Sequence, residues 1–186
     1  MSDVSIVPML IDHCSPTLAS LKCGSLFSIR PEDMAYTMRE ARALSDELAP
    51  KGLAIRVIDV GDGRALCYLY RPCQLCRMLA CEKEAAFLTE QGYPYLTVED
   101  AVDLLCARLW QGGAFTHGIG VFLGYPLEDV VGFIENHGRN YTCCGCWKAY
   151  GDPEAARRRF DQYRRCTAVW KERFRRGAAI TQLIAA

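Results

Sequence analysis

The feature that most restricts the fold is a pair of alternating runs around one short turn. Leu53, Ile55 and Val57 alternate with Ala54, Arg56 and Ile58, and Leu66, Tyr68 and Tyr70 alternate with Ala65, Cys67 and Leu69. A period of two sends successive side chains to opposite faces of a strand. Gly61-Asp62-Gly63 lies between the runs, and such residues supply the positive φ that tight hairpin turns need. The segment reads as a β-hairpin, and the rest of the chain must provide what packs on it.

Most of that remainder has helical texture. Val4 to Ile11 reads as a short helix or extended entry, and Thr17 to Ile29 as a strand. Pro31 opens a helix with Met34, Met38, Ala41, Leu44 and Leu48 on one face, closed by Pro50 and Gly52. Two helical pieces follow Pro72. Thr97 with Asp100 forms a capping box for a helix whose stripe is Val98, Val102, Leu105 and Leu109. Ile119 to Leu123 reads as a short apolar strand, turned by Gly124-Tyr125-Pro126 into a helix bearing Leu127, Val130, Val131 and Ile134. Tyr141 to Tyr150 reads as a last strand. A long helix from Pro153 carries Phe160, Tyr163, Thr167, Trp170 and Phe174 as its stripe. One domain over residues 1–186 is expected, an α/β or α+β fold with a mixed sheet of about five strands flanked by helices.

Composition narrows the function classes. The chain has 22 Lys plus Arg against 22 Asp plus Glu, so net charge argues for neither nucleic acid nor membrane as the default partner. The start of the sequence has no basic stretch leading into an apolar core, and no apolar run reaches the roughly 18–20 residues of a membrane span. The eleven cysteines cannot all pair internally. Free thiols and a cytoplasmic location are the expectation.

Several stretches together carry a resemblance: His13-Cys14-Ser15-Pro16-Thr17-Leu18-Ala19-Ser20-Leu21-Lys22, Tyr70-Arg71-Pro72, the run from Phe115 through His117 and Tyr125 to Val130, Gly145-Cys146-Trp147-Lys148-Ala149-Tyr150, and Tyr163 to Cys166. The chain thereby resembles the bacterial family catalogued as domain of unknown function 3793, over essentially its whole length. The resemblance implies an anaerobic bacterium with a reducing cytosol, and a flavodoxin-type redox partner. It transfers no activity and names no cofactor. At Gly118 the chain departs from the acidic residue that the resemblance leads one to expect.

Four constellations could carry chemistry. The Gly124-Tyr125-Pro126 turn would present free N–H groups at a helix start, an arrangement suited to anions. His13, Lys22, Arg71 and His117 lie near the edges of expected elements, where α/β folds tend to keep ligands. With Tyr125 and Lys148 they form the expected lining for a small anionic molecule. An enzymatic extension would use His13 or His117 to move protons and Cys14 as nucleophile. The third constellation is cysteine-rich: Cys73 and Cys76 form a CxxC, and Cys143, Cys144 and Cys146 a second cluster. They suit an alternative metal-binding or redox accessory role. The fourth is the arginine-rich last helix, which suits an alternative RNA-binding or scaffold role.

Overall fold

The structure is a computed structural model that describes residues 5–94, 97–111 and 118–184. Its first half contains α1 (Val7–Leu18), β1 (Gly24–Ile29), α2 (Met34–Leu48), a 3₁₀ turn (Ala49–Lys51), β2 (Ala54–Gly61) and β3 (Arg64–Tyr70). There follow α3 (Pro72–Leu79), α4 (Glu82–Glu90), α5 (Val98–Trp110), α6 (Ile119–Phe122), α7 (Leu127–Glu135), β4 (Cys143–Cys144), β5 (Lys148–Ala149), α8 (Pro153–Arg175) and α9 (Ile180–Leu183).

The hairpin forms where the alternation placed it, with β3 central in an antiparallel sheet of order β1-β3-β2. Cys67 faces Phe27 on β1 and Val57 on β2. The period of two then sorts the core. Ala65, Cys67 and Leu69 join α1, α2, Trp170 of α8 and α9 on one side of the sheet. Tyr68 and Tyr70 join residues of α3 through α7 on the other. A third cluster gathers Trp147 and Ala149 with Ala156, Phe160 and Tyr163 of α8. The mixed α/β class is as expected. The five strands, however, divide between this sheet and a separate two-stranded β4–β5 hairpin.

Other expectations shift for local reasons. α1 runs past His13 to Leu18 with Pro16 inside it, because a proline in the last turn removes a single helical bond. α2 starts at Met34 rather than at Pro31, since the Asp33 carboxylate accepts from the Tyr36 N–H at 2.8 Å and caps it. The Thr97/Asp100 capping box forms as read. Ile119–Phe122 is a buried helical turn, not a strand; a short apolar run cannot distinguish the two by period. Tyr141 to Tyr150 folds back on itself as β4 and β5. The long helix α8 docks mainly on α1, with Trp170 buried and Phe174 packed against the same cluster.

Backbone approaches are close where β1 meets α6. A Cβ on Gly24 would stand 2.4 Å from the Phe122 carbonyl oxygen, and that oxygen accepts from Tyr68 Oη at 2.8 Å. A Cβ on Gly118 would stand 3.1 Å from Tyr93 Cε2 and 3.2 Å from Leu88 Cδ2. Any longer side chain there would have to displace the α4 end of the core.

Candidate functional site

The groove that matters runs between α1 and α8, floored by the segment joining α1 to β1 and closed at one end by the β4–β5 turn. α1 contributes His13 and Pro16, the connecting segment Lys22, β1 Ser25 and the turn Cys146. One side of α8 contributes Tyr163, Arg164, Thr167, Ala168 and Lys171. The space is about 430 Å³, enough for a small metabolite. Its lining holds four basic side chains and no carboxylate.

Each wall has a local cause. His13 is held by stacking on Phe27, ring centroids 4.8 Å apart. Cys146 sits on an aromatic stack in which Trp147 lies 4.9 Å from Tyr125 and 4.5 Å from Phe160. The stack is anchored by Asp129, whose buried carboxylate accepts from Trp147 Nε1 at 2.7 Å and from the Tyr150 and Gly151 N–H groups at 2.7 and 3.0 Å. Tyr163 donates to the Leu21 carbonyl at 3.3 Å and so pins the loop that carries Lys22. On α8, Lys171 pairs with Asp12 at 3.0 Å and Arg164 with Asp161.

Lys22 differs from its basic neighbours. Its Nζ lies 5.1 Å from the centroid of the Tyr125 ring, and among the described residues no carboxylate comes within ion-pair distance of it. Burial drives its pKa down, opposed by the thiols of Cys14, Cys23 and Cys146. Those thiols give little opposition near neutral pH, because burial raises all three: Cys14 far up, Cys23 to about 11, and Cys146 upward as well. A protonated thiol carries no charge to hold an ammonium. Tyr163 is likewise pushed up to about 12 by burial and remains a phenol.

Of the expected site residues, the structure brings together His13, Lys22 and Cys146, with Tyr125 as the ring beneath Lys22. Others go elsewhere. Arg71 is a structural cation, its guanidinium donating from Nε to Thr17 O at 2.7 Å, from Nη2 to Leu18 O at 2.6 Å and from Nη1 to Lys51 O at 3.2 Å. It caps the carbonyls that end α1, where the helix dipole is negative, and has no free fork for a ligand. Cys14 is fully buried, with a thiol held protonated, so it does not meet solvent as a nucleophile. Lys148 donates to Gly138 O at 2.8 Å beneath Tyr141 and Phe133, away from the groove. His117 lies outside the described residues. The Gly124-Tyr125-Pro126 turn joins two helices instead of a strand and a helix; Gly124 has φ +71°, and a Cβ there would stand 3.0 Å from Cys23 Sγ.

The cysteine clusters are separate. Cys73 and Cys76 line a different groove beside Thr97, Val98 and Glu99, while Cys143, Cys144 and Cys146 belong to the β4–β5 hairpin. Among the described residues no group of three or more His, Cys, Asp or Glu is gathered as metal ligands would be. The basic face of α8 is partly neutralised within the helix, Arg158 by Glu154 and both Arg175 and Arg176 by Glu172.

Sequence reasoning missed the α8 wall. Tyr163 and Thr167 belong to the stripe of the long helix, and Arg164 to its arginine-rich face. The available signal was their position on the boundary between the two. It also misses Asp129 as an anchor, since the sequence places this acid only in the first turn of a helix and its partners Trp147, Tyr150 and Gly151 lie 18 to 22 residues further on.

Among the described residues no helix is long and apolar enough to cross a membrane. No curated protein and no solved structure matches the chain. A family model does, over residues 10–184, a span that holds every wall of the groove. The chain therefore belongs to the family described as Protein of unknown function (DUF3793).

Proposed function

We propose that the chain is a cytoplasmic protein that binds a small anionic molecule in the groove at Lys22. The observation that carries this reading is the Lys22 ammonium, facing a ligand-sized groove with an aromatic ring and neutral thiols around it and no carboxylate partner among the described residues. A half-buried cation without a counter-ion is less well solvated than an exposed one, which costs free energy. A bound carboxylate or phosphate supplies that counter-ion, and Arg164, Lys171 and His13 along the rim add donors. The eleven free cysteines support a reducing, cytoplasmic setting.

Thermal unfolding in the presence of phosphate, sulfate and short carboxylates tests the reading. At an anion concentration of about ten times Kd, the melting temperature should rise by roughly 3–6 °C. Lys22→Met, which keeps the bulk and removes the charge, should remain folded and lose the response. A wild-type protein indifferent to every anion, or a Lys22→Met variant that responds as well as wild type, would refute it.

A further inference from the structure

Lys22 offers more than a charge. We infer that it is a carbonyl-reactive amine, and that the groove takes a small aldehyde or ketone that also bears a carboxylate or phosphate. This rests on the anion-binding reading of the same groove and deepens it by naming the ligand class.

The placement of Lys22 argues for this. The chain has five lysines, Lys22, Lys51, Lys83, Lys148 and Lys171. Lys171 is paired with Asp12, and Lys148 donates to a backbone carbonyl. Lys83 is exposed, its ammonium hydrated, and Lys51 is half-buried outside the groove. Lys22 combines partial burial, access to a ligand-sized space and freedom from a carboxylate. A lysine so placed holds a larger share of neutral amine near pH 7 than an exposed one, because burial without a counter-ion disfavours the ammonium. Neutral amine is the form that attacks carbonyl carbon.

The groove positions the two ends of such a ligand. The cations of α8, Arg164 and Lys171, lie along one wall, and Lys22 stands on the floor. An anionic group held by α8 leaves the carbonyl end to Lys22, over the Tyr125 ring. The Lys22 Nζ lone pair adds to the carbonyl carbon to give a carbinolamine. Protonation of the carbinolamine hydroxyl lets it leave as water while the nitrogen lone pair forms the C=N bond, so that amine, carbonyl and one proton give a protonated imine and one water, with no oxidant or reductant consumed. The iminium carries a positive charge beside the anionic group held by α8, which favours its formation over the neutral imine. His13 on the rim can relay the protons of the dehydration step.

The test is reductive trapping on the full chain. Pyridoxal phosphate and glyoxylate serve as probes, borohydride reduces any imine, and peptide mapping counts label on each of the five lysines. Lys22 should carry at least ten-fold more label than any other lysine, and inorganic phosphate should protect it. Trapping should reach half its maximum at a pH below the ordinary lysine range. Lys22→Arg separates the two proposals: it keeps a cation and hence the phosphate-induced thermal shift, but traps nothing at position 22. Label spread evenly over the lysines, or absent from Lys22 in a protein that phosphate does stabilise, overturns the amine chemistry and leaves anion binding standing. A protein that phosphate does not stabilise and that traps nothing at Lys22 overturns both.

Discussion

Arg71 offers the sharpest separation of a structural from a ligand-binding cation. Its three donors hold Thr17 O, Leu18 O and Lys51 O at 2.6–3.2 Å, and it is 8% exposed. A hydrogen bond from a charged group contributes about 1.5–3 kcal/mol, and an orphaned buried carbonyl costs a comparable amount. Part of that is returned when the guanidinium is deleted, because burial opposes its charge. Arg71→Ala should therefore cost about 3–4 kcal/mol, which for a chain of this length lowers the melting temperature by roughly 10 °C. Arg71→Lys should cost about 1–2 kcal/mol, since a single ammonium cannot span three carbonyls. Urea unfolding followed by circular dichroism gives the free energies, and phosphate-dependent thermal shift gives the ligand response on the same samples. The expected pattern is large destabilisation with the phosphate response retained below the new midpoint. An Arg71→Ala variant within about 0.5 kcal/mol of wild type that has lost its phosphate response would refute the reasoning and return Arg71 to the site.

Three further outcomes follow from the same structure. Trp170→Ala should cost about 3–5 kcal/mol by emptying the α1–α8 contact, while Arg158→Ala, exposed and paired only within its helix, should stay within about 0.5 kcal/mol, both by urea unfolding. Asp129→Ala should cost about 3 kcal/mol or more, since it strands the Trp147 indole N–H and two backbone N–H groups, and tryptophan fluorescence should report the loosened stack. Burial raises the thiols of Cys23 and Cys106 to about 11 and of Cys67 to about 12, against 9.0 for an unperturbed thiol. Above about pH 9 these thiols bind fewer protons in the unfolded chain than in the native one, so their contribution to stability should be constant below that pH and fall steadily toward pH 11–12 in a melting series; a series without such a fall would show those thiols to be solvated.

What could be read from the sequence alone depended on neighbours a few residues apart. The alternation on either side of Gly61-Asp62-Gly63 determined the β2–β3 hairpin and which residues of β3 share a face. The Thr97/Asp100 box determined where α5 starts, and the stripe from Phe160 to Phe174 determined which side of α8 is buried. All of these are matters of period and capping, settled within about one helical turn or one strand pair. The tertiary structure alone decided what the chemically interesting residues do. Arg71 and Lys22 are both cations near the end of α1, yet one is consumed by three carbonyls and the other is left facing an aromatic ring. Cys146 and Lys171 come to the same groove as His13 from the far end of the chain, and the helical turn Ile119–Phe122 packs against β1 at Gly24, where a side chain would meet the Phe122 carbonyl. The physical reason is that a cation's role is set by which acceptors reach it after folding, and that depends on packing between segments far apart in the chain, 20 to 54 residues for the carbonyls on Arg71, about which local sequence carries no record.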